Sequence, residues 1–205
     1  MNYLAHFHLA ATIAPQSPYS QQALLVGGLL GDFVKGPLKG EWPDDWEAGI
    51  RLHRRIDALT DHHPLSRQCL DLLPREYRRY GGIMLDLCFD HCLSQHWSRY
   101  HAEPLLEFNR RAYNKVLAEQ HRYPKAAARQ ISILAQYDVL SGMGDWQRIV
   151  AMLERIGQRL KRENPLAKCG DVLAVHLPEI DQRFHCLYPE LLQQLQNEFS
   201  TPASS

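Results

Sequence analysis

The stretch GIMLDLCFDHCLSQHW, Gly82–Trp97, decides how this chain folds. It is apolar almost all the way round a helix, the pattern of an element enclosed by other helices rather than laid on a surface. Three ionisable side chains interrupt it, Asp86, Asp90 and His91. A carboxylate in such surroundings carries a heavy desolvation cost unless it is neutralised, paired or bound to a cation. Asp86 and Asp90 stand one turn apart and His91 is rotated by about 100° from Asp90, so the three can embrace an ion between this helix and a neighbour. Cys88 and Cys92, in the same run, read as small core residues.

Working outward, apolar side chains recur every three or four residues along most of the chain, and alternating Val/Ile/Thr stretches are nearly absent. This predicts an all-α helical bundle of about eight helices without strands. With 205 residues, the expectation is a single domain over 1–199 and a frayed polar tail over 200–205. Pro and Gly clusters mark the expected helix boundaries, among them His63-Pro64, Tyr80–Gly82, Gly142–Gly144, Asn164-Pro165 and Tyr188-Pro189. Asp44 is the expected cap of a helix running to about Asp61, and Asp145 of another carrying Ile149, Leu153 and Ile156.

Composition excludes several classes. Lys+Arg and Asp+Glu balance at 23 each, which argues against a basic coat for nucleic acid. No apolar run is long enough to span a bilayer, and the first residues lack a basic region before an apolar one, so neither a membrane protein nor a secretory signal is expected. Five cysteines without a CxxC pair point to a reducing, cytoplasmic setting.

The helix from Asp44 carries Trp46, Ile50, His53, Asp57 and Thr60 on one face, while Arg51, Arg54 and Arg55 point elsewhere. His53 and Asp57, four apart, can share one metal ion or simply satisfy each other in a core. Asp32 closes the Gly-rich run LLVGGLLGDFVKG, where Gly27, Gly28 and Gly31 permit close approach of another helix; the plainer reading is a turn acid at a helix end. Together Asp32, His53, Asp57, Asp90 and His91 offer imidazole and carboxylate without thiolate, a mixture suited to Mn²⁺, Mg²⁺ or Fe and to metal-assisted hydrolysis. Walker, GxSxG, HExxH and dinucleotide signatures are absent. His6 and His8 are two apart and so lie on different helical faces, which leaves at most one expected to point inward.

The blocks MNYLAHFHLA, GGLLGDFVKG, GIRLHRRIDALTDHHP and LDLCFDHCLSQHW, in this order within the first hundred residues, resemble the acyl carrier protein phosphodiesterase family. The resemblance implies hydrolysis of the phosphodiester that joins 4′-phosphopantetheine to a serine of holo-acyl carrier protein. It further implies Mn²⁺ dependence and a helical fold similar to the HD-domain phosphohydrolases. Asp90-His91 reverses the order of the HD namesake pair. His53 and Asp57 match the HRxID block of the family, and Asp32 matches the acid of GDFVKG. On this reading His53, Asp90 and His91 are metal ligands, Asp32 and Asp57 are ligands or the base that orients water, and Asp86 and His6 support them from behind.

The implied partner is acidic. Residues 51–79 hold seven arginines against four acids, so Arg51, Arg54 and Arg55 are candidates for meeting the carrier protein or its phosphate. Two rival functions remain open at this level: a phosphohydrolase for a nucleotide or other small phosphodiester, and a helical binding protein without catalysis.

Overall fold

The first helix has no outer face. α1 (Tyr3–Ile13) is buried continuously from Leu4 to Ala11, and the Asn2 side chain accepts a hydrogen bond from the Tyr3 N–H at its start. α2 (Gln21–Leu30) begins at Ser20, whose hydroxyl accepts from the Ala23 N–H, and is buried from Ala23 to its end. α3 (Asp44–His62) lies against α2. The two cross backbone to backbone: a Cβ on Gly27 would come within 2.2 Å of Gly49 of α3. Two glycines at one crossing let these helices approach far more closely than the ordinary 8–10 Å between axes.

The computed structural model describes residues 1–200. The remainder of the chain forms α4 (Pro64–Leu72), α5 (Arg75–Arg78), α6 (Gly81–Gln95), α7 (Trp97–Tyr100), α8 (Leu105–Leu117), α9 (Lys125–Gln136), α10 (Trp146–Arg159) and α11 (Cys169–Phe199). The architecture is a single-domain all-α bundle, and no strand occurs among the described residues. α6 is the central helix, in contact with α1, α4, α10 and α11. Its apolar residues from Met84 to Leu93 are buried as the sequence requires, Cys88 and Cys92 included. No helix among the described residues is long and apolar enough to cross a membrane.

Three expectations are corrected. Eleven α-helices are present among the described residues rather than about eight. α5 and α7 are four residues each, too short to show a period of 3.6. α11 runs for 31 residues straight through Pro178 and Pro189, where Tyr188-Pro189 had marked a boundary. Each internal proline removes a backbone donor, but Phe184, Leu187, Tyr188, Leu191 and Leu195 are all buried on one face and hold the helix in place. Finally, α3 begins at Asp44 itself behind Pro43, so Asp44, Asp45 and Glu47 act on the helix dipole from the first turn. Asp145 does cap α10, accepting from the Gln147 N–H at 2.9 Å. Of the polar tail, Ser200 follows α11 and 201–205 lie outside the described residues.

Candidate metal centre

Where α1, α2 and α3 meet, two imidazoles and a carboxylate converge. The His53 ring from α3 is pressed between the backbone of Gly31 and the His6 ring of α1, with the two rings stacked at 3.9 Å between centroids and 11° between planes. A glycine is required at position 31, since a Cβ there would fall 2.1 Å from His53 Cγ. The His53 Nδ1–H donates to the Gly28 carbonyl at 2.9 Å, which fixes the tautomer and leaves the Nε2 lone pair pointing outward.

That lone pair faces acceptors. His53 Nε2 lies 3.2 Å from one Asp57 oxygen and 3.7 Å from Asp32, while His6 Nε2 lies 3.0 Å from the other Asp57 oxygen. Opposed lone pairs need a proton or a cation between them. His6 Nδ1 is buried without a hydrogen-bond partner. One ligand atom from each of His6, His53 and Asp57 lies within 4.8 Å of the others, so the donor set fits a divalent cation held by two nitrogens and a carboxylate. The imidazoles are buried and the acids are not: Asp57 is 41% and Asp32 50% exposed, so the cluster opens to solvent on its carboxylate side.

Electrostatics follow from this layering. Burial and the neighbouring His53 bring the His6 pKa down to about 4, against the pull of Asp57, so this imidazole is neutral at ordinary pH. Burial alone would raise the Asp57 carboxyl, but the His53 and His6 imidazoles that face it, with a proton or cation between, hold it well below the usual carboxylate range. Tyr3, three residues before His6 and on the same face of α1, has its phenol pushed above the ordinary range by burial and by the adjacent Asp32.

Sequence reasoning placed five residues at the centre, and the structure brings three of them together. His53, Asp57 and Asp32 are in the cluster. Asp90 is fully buried beside it but turned to the backbone: Oδ2 accepts from the Leu4 N–H at 2.8 Å, and Oδ1 from Asn2 and Ala5 at 3.2 Å. It grips the open N-terminal amides of α1 and thereby sets the position of His6. Burial raises its pKa to about 7 despite these donors. His91 is turned away from the cluster, its Nδ1–H donating to Met143 O at 2.9 Å and its ring edge-on to Trp146. Asp86 lies at the rim, 2.6 Å from the Met1 nitrogen, which is itself 3.9 Å from Asp57.

His6, expected only in support, is in the centre of the cluster. Both His6 and His8 are buried, because α1 is enclosed on every side. His8 takes a different role. Its Nε2–H donates to Tyr100 O at 3.3 Å and its Nδ1 accepts from the Tyr188 hydroxyl at 2.7 Å, which locks α1 to α11. Tyr3 was missed by sequence reasoning, although its spacing of three from His6 is the signal that finds it.

The three arginines have intramolecular partners. Arg54 donates to Val34 O at 2.8 Å and steadies the loop after Asp32. Arg55 makes a two-pronged pair with Glu198 of α11 at 2.6 and 2.7 Å. Arg51 is half-exposed and only 3.5 Å from Glu47. Phe108 and Tyr113 are core residues, as is Trp97, whose Nε1–H donates to Glu103 O.

A family model for acyl carrier protein phosphodiesterase matches residues 1–191. An acyl carrier protein phosphodiesterase of Photorhabdus laumondii is 33% identical over 199 residues, covering 97% of this chain and 96% of its own. Another, from Escherichia coli O6:H1, is 34% identical over 195 residues, 95% of this chain and 97% of that one. A third, from Yersinia pestis, is 31% identical over 199 residues, with 97% and 99% covered. No solved structure matches the chain.

Proposed function

The chain belongs to the acyl carrier protein phosphodiesterase family and is an enzyme of that class, and from this premise we propose that it hydrolyses the 4′-phosphopantetheine–serine phosphodiester of holo-acyl carrier protein, using Mn²⁺. The products are the apo-carrier protein and free 4′-phosphopantetheine. The observation that carries this reading is the convergence of His6 Nε2, His53 Nε2 and Asp57 at the junction of α1, α2 and α3.

His6, His53 and Asp57 would hold the cation, which supplies Lewis acidity to the phosphate and makes water acidic enough to attack at neutral pH. Gly28 O aims His53, and Asp90 aims His6 through the α1 backbone. Asp32, on the open side of the cluster, takes the proton of the attacking water. The Tyr3 hydroxyl beside it donates to a phosphate oxygen. Phosphorus gains the water oxygen and releases the serine oxygen, which takes the proton held by Asp32 and leaves as the hydroxyl of the apo-carrier protein. Asp90 acts by positioning in this scheme, and His91 ties α6 to the segment around Met143.

Arg51, the least engaged of the three arginines, offers charge to an acidic carrier, while Arg54 and Arg55 are held by Val34 O and Glu198. The likeness to HD-domain phosphohydrolases is supported by a helical scaffold that gathers histidines and acids from three helices. The cysteines are free, as suits a cytoplasmic setting. The test is intact mass of holo-acyl carrier protein incubated with the protein and Mn²⁺. Loss of the phosphopantetheine mass, abolished in His53→Ala and Asp57→Ala, is the expected result. An unchanged mass with the folded, metal-loaded protein would overturn the reading.

A further inference from the structure

A second group of metal-competent side chains lies away from this centre. His96 caps the C-terminal end of α6, roughly 15 Å of helix rise beyond Asp86. Asp181 and His185 are one turn apart on α11. His96 Nε2 is 3.3 Å from Asp181 Oδ2, and His185 Nε2 is 3.5 Å from the same oxygen. One ligand atom from each lies within 4.8 Å of the others. The two rings meet edge to face at 4.3 Å, so their Nε2 atoms approach one point from different directions.

We propose that His96, Asp181 and His185 form a second divalent-cation site, taking an ion of the zinc class through two imidazole nitrogens and one carboxylate oxygen. The spacing matches. A tetrahedron with zinc–ligand bonds of about 2.0–2.1 Å has edges of about 3.3–3.4 Å, and the two nitrogen–oxygen separations here are 3.3 and 3.5 Å. The supporting hydrogen bond is also in place. His185 Nδ1 is 2.6 Å from the Tyr100 hydroxyl, so an Nδ1–H donated to that oxygen leaves Nε2 free as a ligand. The ring of Tyr100 stacks on His185 and holds its plane.

The side chains of His96, Asp181 and His185 are 43%, 29% and 16% exposed. The site is therefore reached from solvent, with room for water as a fourth ligand. It ties the end of α6 to α11, and through Tyr100 to α7. Its cation clamps the bundle and takes no part in phosphodiester cleavage. The competing account of the same distances is a protonated imidazole on either side of Asp181, which needs no metal.

Zinc titration of chelator-treated full-length protein separates the two. Calorimetry and metal analysis after gel filtration should find two equivalents of Zn²⁺ in the wild type. His96→Gln and Asp181→Asn should each lose one equivalent, with at least a 100-fold weakening at that site, while circular dichroism shows unchanged helical content. His53→Ala should lose the other equivalent. If the first centre takes no zinc, the wild type holds one equivalent, lost in His96→Gln and kept in His53→Ala, and the second site stands. Wild-type stoichiometry and affinity in both folded variants, His96→Gln and Asp181→Asn, would overturn it.

Discussion

Replacing Gly31 by alanine puts a methyl carbon where the His53 ring now lies. The backbone tolerates the change, since Gly31 has φ −52 at the end of α2, and on conformational grounds alanine gains up to about 1 kcal/mol there. The added Cβ would fall 2.1 Å from His53 Cγ and 2.2 Å from Cδ2, against an ordinary carbon–carbon contact of about 3.5–4.0 Å. The ring must retreat by roughly 1.5 Å, but the stacked His6 ring is already at van der Waals contact on its far side. Such a shift stretches the 2.9 Å bond to Gly28 O beyond hydrogen-bonding range. Overpacking of this kind costs about 1–3 kcal/mol, partly offset by the alanine gain, so the protein stays folded. The candidate centre should not stay intact: loss of a bond that orients a ligand weakens metal affinity by about 10–100-fold, and displacement by 1 Å or more slows turnover on the order of 100-fold. Release of phosphopantetheine by intact mass across a Mn²⁺ titration reads both effects, and urea unfolding checks the fold. Gly82→Ala, with nothing within 4 Å, is the neutral control. A folded Gly31→Ala protein with wild-type turnover and metal affinity would show that His53 is not where the chemistry is done.

Gly27→Ala should behave differently, because its Cβ meets the Gly49 backbone at 2.2 Å and no side chain can give way; urea unfolding should show a loss of more than about 3 kcal/mol, and a small loss would mean the crossing is soft. Asp90→Ala leaves the buried Leu4 and Ala5 amides and the half-buried Asn2 amide without an acceptor, for a cost of about 1–3 kcal/mol per unsatisfied buried group, visible as a lowered urea midpoint. In pH dependence, His6 and His8 are both held at about 4 by burial, so their stabilising contribution is complete above pH 6.5 and is lost as pH falls toward 4. Asp90, raised to about 7, works against them, adding stability as pH falls from 7 toward its unfolded value. From these groups alone, wild-type stability should fall by about 1.4 kcal/mol per pH unit between 6.5 and 4, and that of Asp90→Asn by about 2.7; equal slopes would refute the assignment. Chelation should abolish phosphopantetheine release and Mn²⁺ should restore it, whereas chelator-resistant release would exclude a metal mechanism.

The parts of the fold and site legible in sequence are those governed by spacing within one element. The stripe Trp46, Ile50, His53, Asp57, Thr60 is one face of α3, and the apolar run of α6 is central, because a helical period writes burial directly into sequence. Gly27 and Gly31 announced a close approach, and the structure supplies the partners, Gly49 and His53. What sequence could not convey is direction across space. Asp90 and Asp57 are both acids facing the interior, and only the packing of α1 against α6 makes one a clamp for backbone amides and leaves the other facing two imidazoles. His91 follows Asp90 by one residue and is rotated to the far side of α6, toward Met143. His6 was underrated because a helix buried on every side gives no periodic signal from which an inward face can be picked.

The enclosure of α1 has a kinetic meaning. Its walls come from α2 and α3 but also from α6 and α11, through bonds such as Leu4–Asp90 and His8–Tyr188 that join residues 86 and 180 positions apart. Contacts of such sequence separation cost loop-closure entropy before they are rewarded, so His6 meets His53 and Asp57 only once distant parts of the chain have been brought together. An ion that binds only the completed arrangement stabilises the native state and, where that arrangement follows the rate-limiting barrier, not the barrier itself. It should leave the refolding rate nearly untouched and lengthen the lifetime of the finished protein, so that occupancy works as a latch on departure from the native state.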